Sequence, residues 1–304
     1  MKINNILKIC VGIGILSAYI ITIPTEVNGA DQRLYQDAVA LQEKADQIGF
    51  SDFHIQDYPV AFYDGSNDYV LQGDKEPLRR KPVLNVLVAT AFQVEDHMEV
   101  IVPTYDDLNL IINLVVPDVE GMDIEEWKYA MCMSTIWHEA THAWQFSKFD
   151  DRINAWTNNL DIDFTRLDEN SDVRAVYEKQ LKLLQQAATE NNQDALKKLA
   201  NEICDLETKL DEYISEDIRK AETLTELTEG TAQYVESQIL KSLCAEEVFM
   251  VQYVDNMSVY QDGRDKYYTL GMAKCLLLDK LNPEWKNDYT FEYSLGEMLK
   301  KCLS

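Results

Sequence analysis

Between about Phe50 and Val116 the apolar residues come in short runs broken by turn residues. In FHIQDYPVAFYDGSNDYVLQG, β-branched and aromatic residues flank Asp64-Gly65, which is a hairpin signal. PVLNVLVATAF, HMEVIVP and LNLIINLVVP are further short runs and read as strands, so this part of the chain is expected to form a sheet. Beyond Gly121 the period becomes helical. Asp123 can cap a helix with Glu126 three residues on, and no glycine or proline interrupts Ile124 to about Lys148. SDVRAVYEKQLKLLQQAATE is a second long helical stretch. NNQD makes a turn before a third, in which Leu196, Leu199, Ile203, Leu206 and Leu210 recur at threes and fours. These two stretches predict an αα-hairpin over about 171–218. A last helix is expected over Tyr267–Leu281, ended by Asn282-Pro283. The fold class is therefore α+β: a β-rich subdomain over 31–120, then a mainly helical subdomain over 121–304 carrying the inserted hairpin.

The first thirty residues follow another pattern. Lys2 and Lys8 precede an apolar run from Ile9 to Ile23, and the small residues Gly29 and Ala30 follow. This is the layout of a signal peptide, which places the mature protein outside the cell. About fifteen residues interrupted by glycines is short for a membrane span, which needs roughly twenty; an uncleaved anchor is the alternative. Cys10 lacks the preceding small residue of a lipid-attachment signal.

Charge and cysteine content narrow the class of partner. With 53 acidic against 28 basic side chains the net charge is −25, a surface that repels phosphate backbones and anionic lipid, so nucleic acid is not an expected partner. Cys132, Cys204, Cys244, Cys275 and Cys302 are widely spaced and contain no CxxC, which describes neither a disulfide framework nor a thiolate zinc site. Arg79-Arg80-Lys81 beside Pro82 reads as an exposed turn or, more sharply, as a processing site.

The chemistry lies in WHEATHAWQF, residues 137–146, in a chain with only four histidines. Four residues along a helix turn slightly more than a full circle, so His138 and His142 point to one side and can hold a single zinc ion. Zinc on nitrogen ligands lowers the pKa of a bound water, and Glu139 can take a proton from that water and pass it to a leaving amine. A polar pair inside an apolar run around Trp137 and Trp144 would be costly to bury without such a purpose. A catalytic zinc needs a third protein ligand. His54 and His97 lie upstream in the strand region, and AWQFSKFD after His142 contains no further histidine. A carboxylate from a later helix is the expected ligand. TELTEGTAQYVE offers Glu229, followed by Gly230, whose missing side chain would let that helix approach closely.

His138-Glu139-x-x-His142 with Glu229-Gly230-x-Ala232-x-Tyr234 downstream resembles the gluzincins, the thermolysin-like and M1-like zinc peptidases. The resemblance covers roughly Asp123 to Leu281. It implies a zincin-like fold, His138, His142 and Glu229 as zinc ligands, Glu139 as general base and a peptide or protein as substrate. It also points to Tyr268, three residues before Gly271, as a donor to the oxyanion, with Tyr267 as its competitor. The chain departs from the family in three ways. About 86 residues separate His142 from Glu229, no GxMEN motif precedes the helix, and no downstream histidine can serve the oxyanion. The second departure favours endopeptidase over aminopeptidase activity. Glu222 and Glu226 lie on the stripe of Glu229, either as a solvated acidic face or, for Glu226, as acceptor of a ligand histidine's outer N–H and reserve ligand; Gln233 is a weaker candidate for the same task. LNLIINLVVP is the strand that would pair with an extended substrate. The competing reading is a noncatalytic extracellular binding protein with a structural zinc and the acidic hairpin as its working surface.

Overall fold

The computed structural model describes residues 27–303 except 51, 86 and 157–161. The stretch from Lys2 to Ile23 on which the signal-peptide expectation rests lies outside the described residues, and Gly29 and Ala30 open the first helix, α1 (Gly29–Ala40), capped by Asn28. The chain divides into two compact units. One comprises the chain up to Gln47 with 51–147; the other comprises 48–50 and the chain from Lys148 on.

In the first unit, α1 and the short α2 (Gln42–Asp46) precede a five-stranded mixed sheet. Its strands are β1 (Val60–Tyr63), β2 (Asp68–Leu71), β3 (Leu78–Arg80), β4 (Thr90–Val94) and β5 (His97–Pro103), in the order β3-β2-β1-β5-β4. The hairpin at Asp64-Gly65 forms, with Val60 opposite Leu71 and Tyr63 opposite Asp68. Parallel pairing of β1 with β5 makes β1 the central strand, and Val60, Ala61 and Phe62 are wholly buried. Arg80 in β3 binds the buried Glu99 through both guanidinium arms, Nη1 at 2.9 Å, and the buried Asp68 at 3.3 Å. Arg79 and Arg80 thus belong to a strand rather than a turn, with Arg79 and the following Lys81 exposed and Arg80 pairing with two carboxylates.

LNLIINLVVP is not a strand. It forms α3 (Tyr105–Ile112) and a 3-10 turn (Asn113–Val115). Thr104 caps this helix by accepting from the N–H of Asp107, and Leu108 and Ile112, four residues apart, supply its buried side. A short apolar run fits either period, and the cap decides here. PVLNVLVATAF is a strand only in its last part, β4.

Helix α4 (Ile124–Trp156) begins where expected: Asp123 accepts from the N–H groups of Glu125 and Glu126 at 3.0 and 3.1 Å. It runs further than the pattern suggested, with a non-helical residue at Phe149 (φ −120°, ψ 18°). Its first-unit part is anchored by Trp137, whose indole N–H donates to Ala38 O at 3.0 Å, and by Phe53, stacked on Trp144 and edge-on to Trp137.

The second unit is helical. α5 (Phe164–Asp168) leads to the αα-hairpin of α6 (Ser171–Thr189) and α7 (Gln193–Leu210), with Asn192 capping α7 at the predicted turn. α8 (Glu216–Thr225) runs through a π-turn (Glu226–Gly230) into α9 (Thr231–Leu243). After α10 (Glu246–Phe249) and a second π-turn (Met250–Asp255) come α11 (Asp265–Leu281) and α12 (Leu295–Lys301). α11 is buried nearly all round and packs against α6, α7, α9, α12 and the first π-turn. Cys132, Cys204, Cys244, Cys275 and Cys302 are all free thiols.

Asp31 fastens the start of α1 to α3. It is 1% exposed and accepts the backbone N–H of Tyr105 at 2.7 Å. Burial pushes its pKa up to about 6 against the lowering effect of that N–H, and Asp106, Asp107 and Asp64 add to the rise. A carboxyl that holds its proton more tightly folded than unfolded destabilises the fold where it must ionise. The contribution of Asp31 to stability therefore improves as pH falls from about 6 to about 4 and is unfavourable above that window. Asp31→Asn keeps an oxygen for Tyr105 and removes the charge. It should stabilise the protein by about 1–3 kcal/mol at pH near 8 and by less at pH near 5, judged from urea unfolding; an equal gain at both would assign the effect to something other than charge burial.

Candidate metal centre

His138, Glu139 and His142 lie in the first-unit part of α4. The two imidazole rings are 4.9 Å apart between centroids and inclined at 74°, as expected of residues one turn apart. His142 is buried, Glu139 is 8% exposed and His138 is half-buried. Gln145, itself fully buried, places Oε1 3.0 Å from His142 Nδ1. An amide oxygen only accepts, so this pairing puts the proton of His142 on Nδ1 and leaves the lone pair on Nε2, the atom that faces away and can ligate. The acceptor for the outer N–H of His142 is therefore Gln145, not Glu226 or Gln233. A signal existed: Gln145 is three residues on from His142, on the same side of the helix.

Glu229 sits in the π-turn with 2% exposure. Gly230 beside it is required by packing. A Cβ there would lie 2.5 Å from the Cα of Gly271, and a Cβ on Gly271 would lie 2.6 Å from the carbonyl oxygen of Glu226. The missing side chain thus lets the turn meet α11 backbone to backbone. The same contact gives Gly271 a structural reason for its place three residues after Tyr268.

Glu222 and Glu226 form neither a solvated face nor an acceptor for a ligand histidine. Both oxygens of Glu226 receive Lys274 Nζ, at 2.8 and 2.7 Å, and Lys274 also binds Glu207 at 2.5 Å. Burial alone would lower the pKa of Lys274, but Glu207 and Glu226 outweigh it and hold the ammonium protonated. Glu222 accepts from Tyr177, from Tyr267 at 2.6 Å and from Arg219 at 3.3 Å. Burial, reinforced by Glu222, raises the Tyr267 phenol well above its ordinary pKa. Tyr267 is thus committed to the interior, whereas Tyr268 is half-buried in the first turn of α11. His97 pairs with Glu99 at 2.9 Å in the sheet.

One ligand atom from each of His138, His142 and Glu229 lies within 4.8 Å of the other two, and no other such trio of His, Cys, Asp or Glu occurs among the described residues. The group can hold a metal ion. Two imidazoles and a carboxylate are the donor set that suits zinc. A further observation fits a cation nearby: Gln233 Oε1, one helical turn on from Glu229, is buried with no donor among the described residues. No protein-family model, no curated protein and no solved structure matches the chain.

The Nδ1 contact predicts that Gln145→Leu, which fills the same space without an acceptor, will weaken metal binding about 10- to 100-fold in a chelator competition. Unchanged affinity would mean that His142 is oriented without Gln145.

Proposed function

We propose that this protein is a secreted, zinc-dependent metallopeptidase of gluzincin type, acting within peptide chains. The observation that carries the reading is the approach of His138, His142 and Glu229 with Glu139 adjoining the first of them. When bound, zinc supplies Lewis acidity and brings the pKa of a water toward neutrality. Glu139, nearly buried, is assigned as the base that accepts the attacking water's proton and returns it to the leaving amine. Tyr268 is assigned as the phenol that donates to the developing oxyanion, a task the committed hydroxyl of Tyr267 is not free to perform. A carboxylate beside the ligands has no task in a purely structural site, which favours the enzyme over a noncatalytic binding protein. Secretion rests on the leader pattern of residues 1–30; among the described residues no helix is long and apolar enough to cross a membrane. LNLIINLVVP, being helical, no longer serves as the strand to which a substrate would pair.

The test is digestion of a mixed peptide library by the purified protein with and without chelator, with cleaved positions mapped by mass spectrometry. Internal cleavage that stops with chelator and returns with zinc is expected. Glu139→Gln should keep the metal and lose turnover by at least about 100-fold, the usual scale of a general base. Near-normal turnover in that variant removes Glu139 from the mechanism, and metal uptake without any cleavage points to the binding protein.

A further inference from the structure

Arg264 stands against the carboxylate assigned as third ligand. Its Nη2 donates to Glu229 Oε1 at 3.1 Å, with the arginine side chain 25% exposed and that of Glu229 2%. The arginine's backbone is held on both sides. Gly263, in the left-handed region at φ +73°, donates its N–H to Asp168 Oδ2 at 2.6 Å. Lys266, wholly buried, donates to Asp168 Oδ1 at 2.9 Å and to the carbonyl of Gly263 at 2.5 Å. Tyr260 also donates to Asp168. Burial would raise the Asp168 pKa, but Tyr260, Gly263 and Lys266 together bring it below the usual carboxylate value, so the clamp keeps its charge. Arg264 therefore projects from a fixed base at the start of α11.

A guanidinium fixes a carboxylate by direction as well as by charge, because its N–H groups lie in a rigid plane. A ligating carboxylate with both oxygens open can bind a metal through one or both of them. One whose first oxygen is already hydrogen-bonded is steered to bind through the second. We propose that Arg264 is a positioning residue for the metal: by holding Oε1 of Glu229 it makes this carboxylate a one-oxygen ligand and keeps the coordination number low, leaving a position open for water. The proposal rests on the reading of His138, His142 and Glu229 as a metal site. The arginine's charge also repels the cation, so orientation and repulsion act in opposite directions on affinity. Coordination mode is the property on which they separate.

The experiment uses the full purified chain loaded with Co2+ in place of zinc and follows the visible absorption, which is intense for four-coordinate cobalt and weaker as further ligands enter. The wild type should show the intense band. Arg264→Met should lose band intensity several-fold, as the second oxygen of Glu229 enters. The metal-free variant should melt below wild type because the buried Glu229 loses its partner, and the cobalt spectrum is read at a temperature where circular dichroism shows the variant folded. Arg264→Lys, which returns the charge without the planar fork, should fall between them. A methionine variant whose cobalt spectrum equals that of wild type overturns the proposal. Should the methionine variant fail to fold, the lysine variant decides: an intermediate spectrum supports the role and a wild-type spectrum refutes it. A wild type that takes up no stoichiometric cobalt defeats the metal site itself, a separate outcome from loss of the arginine's role.

Discussion

A buried carboxylate must be matched, and in the helical unit the segment that opens and forms α11 does the matching. Arg264 meets Glu229, Lys266 meets Asp168, Tyr267 meets Glu222, and Lys274 lies between Glu207 and Glu226. Removing one partner of such a pair leaves an uncompensated charge in the interior, at a cost of about 3–5 kcal/mol. The requirement is sharper in a chain of net charge −25, where cations are scarce. Four of them, counting Arg219 beside Glu222, are spent on the same small group of carboxylates. The register of α8, the π-turn and α9 on α11 is therefore set by charge pairing, and the Gly230–Gly271 contact fixes the distance.

That register determines which acidic side chain remains for other work. Glu222 and Glu226 are consumed by tyrosine, arginine and lysine partners. Glu229 accepts from Arg264 at one oxygen and belongs to the group with His138 and His142 that could hold a metal ion. In the sheet unit Arg80 likewise pairs with both Asp68 and Glu99, the two acidic residues of the strands. The polar residues of α4 are ordered by their own neighbours, with Gln145 setting the tautomer of His142 and Trp137 tied to Ala38.

Much of this was legible in the sequence because it depends on local chemistry. The Asp64-Gly65 hairpin, the Asp123 cap, the αα-hairpin with its turn at Asn192, and the end of α11 at Asn282-Pro283 all follow from caps, turn residues and periodicity. So does the placing of His138 and His142 on one side of a helix. What escaped depended on partners distant in the chain or on ambiguous period. LNLIINLVVP carries both a strand-like and a helix-like alternation, and the helix α1 was not anticipated from its sequence. Arg264 is 35 residues from Glu229 with nothing local to link them, and the burial of Glu222 and Glu226 could not be read from a stripe of acids that resembles a solvated face. Gln145 was within reach of a spacing argument.

The π-turn at Glu226–Gly230 has a further consequence. A widened turn accommodates one residue more than an α-helical turn would, so the segments before and after it need not share a common angular phase. Glu222 upstream and the residues that follow Gly230 can thus be aimed independently, as two halves of a shaft joined by an adjustable coupling. Loss of a single residue from this pentapeptide would remove that freedom, and whichever half kept its seat would misdirect the other.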